Sequence, residues 1–214
     1  MKFDAYEYTG VILPGAVVVL STCLLFPELK ELLGKDGISL GGLGVFVIAS
    51  FVVGHVVQAL GNIIERVGIG VYKPSGTDAL LSPTQSIVAP AQRERLKETL
   101  TQRGSGDLDE LTPHAWRAVR REMYAEVRAK KATERIDAFN RTYGLQRGIA
   151  AGFLLAAATI VIVAFPRWPI ALMLFCAAFL ALLRMRRFSD HYMAELVVEY
   201  LRADSTKSAS EKSK

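Results

Sequence analysis

The sequence is poor in the residues from which metal centres, disulfide frameworks and catalytic triads are built. It has two cysteines and three histidines among 214 residues. Cys23 and Cys176 both lie inside long apolar stretches, where a thiol acts as a small buried hydrophobe rather than a ligand or a redox pair. Also absent are a Gly-rich loop ending in Lys-Ser/Thr, a His-Glu-x-x-His helix and a Gly-x-Ser-x-Gly turn. No enzyme activity, cofactor or metal is therefore expected. The sequence has no internal repeat, and no β-rich segment stands out.

The most informative absence is of charge. Although 22% of the chain is Asp, Glu, Lys or Arg, four windows contain none: the twenty residues Tyr8 to Pro27, the twenty-eight Gly37 to Ile64, the nineteen Gly148 to Pro166 and the sixteen Trp168 to Leu183. An ordinary soluble domain does not segregate its charges in this way. A helix crosses the hydrocarbon core of a bilayer with about 20 apolar residues, so each window reads as a membrane span. The fold class expected is all-α: four transmembrane helices, a small helical cytoplasmic domain inserted between spans two and three, and a cytoplasmic C-terminal helix. The N-terminal window follows Lys2, Asp4 and Glu7 and has no small-x-small cleavage site after it, so it reads as a retained span.

Of the 26 basic residues, 22 lie between Glu65 and Arg147 or beyond Leu183. The positive-inside rule places both regions, and hence both termini, in the cytoplasm of a cell with this protein in its inner (plasma) membrane. Arg66 and Arg141 flank the spans on that side. Arg147, Arg184, Arg186 and Arg187 are candidates to contact anionic lipid. The opposite side keeps one short loop and the turn Phe165-Pro166-Arg167-Trp168-Pro169, whose Trp168 suits an interface.

The expected organisation is a transmembrane hairpin over 1–64, with spans at about 11–26 and 43–64, followed by a helical segment over 65–147. A second hairpin over 148–183 has spans at about 148–165 and 168–183; a helix over 184–203 and a disordered tail over 204–214 complete the chain. The stretch PELKELLGKDG is amphipathic, with Leu29, Leu32 and Leu33 on one side. Tyr72 to Pro90 reads as a loop. Pro90 opens a helix bearing Leu96 and Leu100 that Gly104 to Gly106 ends. Thr112-Pro113 caps the next, where Trp116, Val119, Met123 and Val127 form a core stripe. With no strong breaker before Gly144, that helix reads as running through Ile136, Phe139 and Tyr143 toward span three. Phe188, Tyr192, Leu196, Val197 and Tyr200 give the C-terminal helix a face to pack on the central segment.

Span two holds the candidate site. His55, Gln58, Asn62 and Glu65 fall at about 0, 300, 340 and 280 degrees around a helix, one arc of about 80 degrees. Gly54, Gly61 and Gly68 recur every seven residues beside it and offer a close-approach groove. Polar groups in a span face a protein interior or a water-filled cavity. The expectation is a homo-oligomer with span two near its axis, forming or gating a small ion or water pathway in response to a cytoplasmic signal. The alternative is a membrane anchor or scaffold that recruits a cytosolic protein, with the polar arc as interhelical glue. Arg117, Arg120, Arg121, Arg128, Lys130 and Lys131 are interleaved with Glu122 and Glu126, the pattern of a solvated helix face, and no nucleic-acid partner is expected.

Overall fold

The computed structural model describes residues 5–30, 40–68, 79–81 and 87–211. The amphipathic stretch beyond Lys30, most of the Tyr72 to Pro90 loop, the Arg66 side chain and the surroundings of Gly68 lie outside the described residues. The described residues are all-helical. In chain order the helices are α1 (Ala5–Leu25), α2 (Pro27–Lys30), α3 (Leu40–Gly68), α4 (Pro90–Gln102), α5 (Pro113–Ala129), α6 (Glu134–Val163) and α7 (Trp168–Glu211), with a 3-10 turn Phe165–Arg167 before α7. Helices α1, α3, α6 and α7 are long and apolar enough to cross a membrane, with mean hydropathies of 1.9, 2.2, 1.8 and 2.0. All four outrun the charge-free windows, because an α-helix continues wherever backbone bonding continues, whatever its side chains carry.

The chain divides into two compact units. The first comprises Met1–Val71 and Arg141–Met185. Here α1 lies along α3, and α6 and α7 form a hairpin about the turn Phe165–Arg167. Ala157, Ile160 and Ala171 pack with Leu25 and Leu174, and the Arg167 guanidinium donates to the Leu24 carbonyl at 3.4 Å. Ile162, Met173, Phe175 and Leu180 are exposed on its outside, a surface suited to acyl chains.

The second unit comprises Tyr72–Asn140 and Arg186–Lys214, and we call it the head. Its core joins Leu80, Leu96, Leu100, Leu108, Trp116, Val119, Met123, Val127 and Ile136 to Met193, Leu196, Val197, Tyr200 and Leu201. The C-terminal residues are thus part of one core with the central segment. Two prolines set its helix starts. Pro90 follows Ala89, whose N–H donates to Gln92 Oε1 at 3.1 Å, and Pro113 follows Thr112, whose hydroxyl accepts from the Ala115 N–H at 3.2 Å.

The two helix ends differ in an instructive way. After α4, Gly104 takes φ 73°, its N–H bonds to Thr101 O and the Ser105 N–H bonds to Leu100 O. That paired pattern is a Schellman stop, in which a left-handed residue closes the helix. The same pattern ends α5, with the N–H of Lys131 on Arg128 O and that of Ala132 on Val127 O. There the left-handed residue is Lys131, at φ 58°. This corrects the expected continuous helix toward span three: α5 and α6 are separated by a stop that no glycine marks.

Side-chain bonds tie the head's C-terminal helix down as far as Asp204 and Ser205. Arg103 is paired with both Glu126 and Asp204 and lies 5.1 Å over the Tyr200 ring. The Ser205 hydroxyl donates to Leu201 O and accepts from Arg95 at 3.0 Å. Helix α7 spans Trp168–Glu211.

A lysine in the left-handed region costs about 1 kcal/mol relative to glycine. Lys131→Gly should therefore raise the stability of the full-length protein by about 1 kcal/mol, and Lys131→Val should lower it. Thermal unfolding followed by circular dichroism in detergent checks both.

Candidate functional site

Proline 14 organises the interior of the membrane unit. It sits inside α1, where it supplies no N–H, so the carbonyl four residues earlier, that of Gly10, loses its helical donor. In water a solvent molecule would repair this; within a bilayer the donor must come from protein. Gln58 of α3 supplies it, donating from Nε2 to Gly10 O at 2.7 Å. A polar side chain of span two thus answers a backbone defect near the start of span one.

Such a bond requires the helices to lie close, and small residues permit it. A methyl group on Gly15 would overlap the Ser50 carbonyl, and one on Gly54 would overlap the Val11 carbonyl. On the other side, a Cβ on Gly148 would come within 2.5 Å of Gln58 Nε2 and 2.8 Å of Pro14 Cγ, and one on Gly152 within 2.8 Å of Pro14 O. Gly148-x-x-x-Gly152 of α6 is therefore the seat of Pro14. Ser50 is fully buried and its hydroxyl has no hydrogen-bond partner, so its small volume is what this contact uses.

The second constellation lies where spans two and three leave their apolar windows. Arg147 donates from Nη1 to Glu65 Oε2 at 2.8 Å, the Tyr143 hydroxyl donates to Glu65 Oε1, and the guanidinium lies 5.8 Å from the Tyr143 ring centroid. Glu65 and Arg147 are only 22% and 23% exposed. A buried pair of this kind adds little net stability, yet losing one partner is costly because the other charge stays behind. Gly61 accommodates the Arg147 stem: its Cβ would lie 3.2 Å from Arg147 Cγ and 3.6 Å from Ala151 Cβ.

The sequence-derived site divides on this structure. Gln58 and Glu65 point into the bundle, whereas His55 and Asn62 are exposed. His55 meets the Phe51 ring edge-on at 4.7 Å, and Phe51 stacks with Tyr8 at 6.1 Å. Asn62 makes no hydrogen bond among the described residues. One arc of a helix can straddle the line between covered and uncovered surface. The buried stripe of α3 is Ser50, Gly54, Val57 and Gly61, centred near 230 degrees on the same helical wheel, so 280 and 300 degrees lie inside and 340 and 0 outside.

Two further expectations change. Gly54 and Gly61 are used against α1 and α6 of the same chain, leaving no glycine groove there for another copy. Arg147 is committed to Glu65, which withdraws it from the set of lipid-contacting arginines; Arg184 and Arg187 are exposed and Arg186 is half-buried. Residues that the sequence reading did not assign to a site are Gly10, Pro14, Tyr143, Gly148 and Gly152. The rule that a proline frees the carbonyl four residues back would have found the first two.

In the head, hydrogen bonds set the ionisation of several groups. The ammonium of Lys97, 2.6 Å from Asp109, and the nearby Arg93 hold the Asp109 carboxyl below its usual range, and Asp109 with Asp107 raises Lys97 in return. Burial, then the bond to Asp137 at 2.7 Å, pushes the Tyr124 hydroxyl up. Among the described residues, no group of three or more His, Cys, Asp or Glu could hold a metal ion. No protein-family model, curated protein or solved structure matches the chain, and its reading rests on its own residues.

The Pro14–Gln58 relation gives a sign-definite test. Gln58→Leu should cost about 1–2 kcal/mol by leaving the Gly10 carbonyl unpaired. In a Pro14→Ala background, residue 14 supplies the missing N–H, and the same Gln58→Leu change should cost about 1 kcal/mol less. Equal penalties in the two backgrounds, measured by unfolding in bicelles, would refute the relation.

Proposed function

We propose that this protein is a multi-pass anchor of the plasma (inner) membrane that holds its helical head, and both termini, on the cytoplasmic side for a cytosolic partner. The observation that carries this reading is the use of Gln58 and Glu65. A pathway along span two needs polar side chains free to face a lumen, and these two are committed to Gly10, Tyr143 and Arg147. What remains for function is the head, whose core of large apolar side chains gives it a defined shape to present. The excess of Lys and Arg in and around the head supports its cytoplasmic placement.

Two measurements test the proposal. Full-length protein in liposomes should leave ion flux and membrane potential at the level of empty vesicles. Flux that appears with the wild type and disappears in a correctly assembled His55→Ala variant would replace the anchor with a pathway. For orientation, a reporter active only outside the cytoplasm should be silent after Thr84 and at the C-terminus, and active near Gly34; the reverse pattern would overturn the placement.

A further inference from the structure

The outward face of α3 carries two polar side chains, His55 and Asn62, that contact with lipid does not require. Val45, Ile48, Val52, His55, Ala59 and Asn62 follow one another at steps of 3, 4, 3, 4 and 3, and every one of them is exposed. Val45, Ile48 and Val52 are 52%, 67% and 59% exposed. A 3.5-residue period is that of a coiled-coil seam, with Val45, Val52 and Ala59 at one core position and Ile48, His55 and Asn62 at the other. This seam lies about 160 degrees around the helix from the Ser50, Gly54, Val57, Gly61 stripe that faces α1 and α6. The two uses of α3 do not compete.

Its polar members say what covers it. The apolar window of α3 runs over Leu40–Glu65, which places His55 near mid-span. An imidazole and a carboxamide facing hydrocarbon are expensive, and in membrane proteins such groups face protein. Both are self-complementary, since a neutral imidazole and a primary amide each carry a donor and an acceptor. All copies of a membrane protein share one orientation, so a two-fold axis along the membrane normal brings each residue opposite its own counterpart at the same depth. A different partner would need its own polar groups at both depths; a second copy has them by construction of symmetry.

We propose that the protein is a parallel homodimer through the α3 seam, with His55 against His55 and Asn62 against Asn62 of the second copy. This rests on the membrane placement of α3 and is independent of what the head recruits.

Disulfide trapping of the full-length chain in lipid vesicles tests it, in a background with Cys23 and Cys176 changed to Ala. Single cysteines at Ile48, Val52 and Ala59 should form dimers under mild oxidation, and those at Val56 of α3 and Met173 of α7, both exposed, should form few. A second measurement, energy transfer between labelled copies diluted in lipid, should show His55→Leu and Asn62→Leu each weakening dimerisation about three- to tenfold while the monomer keeps its unfolding temperature. Monomers at all lipid dilutions, trapping that ignores the 3-4 spacing, or leucine variants that dimerise as tightly as the wild type would each overturn the proposal. A dimer that forms without flux would leave the anchor reading intact, and a monomeric anchor would defeat only the seam.

Discussion

A backbone carbonyl without its helical donor, in a helix long and apolar enough to cross a membrane, is the constraint on which the membrane unit depends. Pro14 creates that carbonyl at Gly10, and Gln58 satisfies it from the neighbouring helix at 2.7 Å. One bond of this kind fixes three things together. It sets the depth of α1 against α3, because Gly10 and Gln58 must lie level. It demands close approach, which Gly15, Ser50 and Gly54 allow. It also presents the proline ring to α6, where only Gly148 and Gly152 leave room for it.

The same economy governs the charged border of the unit. Glu65 accepts from both Tyr143 and Arg147, so the first acidic residue after the span-two window and the last basic residue before the span-three window cancel each other inside protein. Both Gln58 and Glu65 are hydrogen-bonded within the same chain. The polar groups that are left over, His55 and Asn62, point the other way, and it is their position rather than their chemistry that separates them from the satisfied pair. In the head, large apolar side chains including Trp116 form one core, and charge pairs such as Arg103 with Glu126 and Asp204 lie beside it.

Much of this architecture was legible in the sequence because the relevant signals are local. Exclusion of charge marks a span regardless of what surrounds it, and Thr112-Pro113 marks a helix start for the same reason. The stripe Trp116, Val119, Met123, Val127 is buried throughout, as the apolar face of an amphipathic helix is when it packs on a core. The misread features depend on neighbours. Helical angles grouped His55 with Gln58, but only the positions of α1 and α6 decide which part of that arc is covered. Gly54 and Gly61 looked available to another copy because nothing in α3 announces that Val11 and Arg147 of the same chain fill the space beside them. Lys131 ends α5 in a left-handed conformation that lysine does not advertise, and the bonds to Asp204 and Ser205 of α7 come from residues about a hundred positions earlier.

The most direct test of the account is the contact between Gln58 and Gly10 in a bilayer. Solid-state NMR on full-length protein, with glycine carbonyl carbons labelled with carbon-13 and glutamine side-chain amides with nitrogen-15, reads this proximity as a dipolar coupling. The account predicts a strong coupling for the Gly10 carbonyl that vanishes in Gln58→Leu. It also predicts that the Gly10 carbonyl resonance moves toward that of an unbonded carbonyl in the variant. A Gly10 carbonyl with no coupling in the wild type, or with an unchanged resonance in Gln58→Leu, would contradict it.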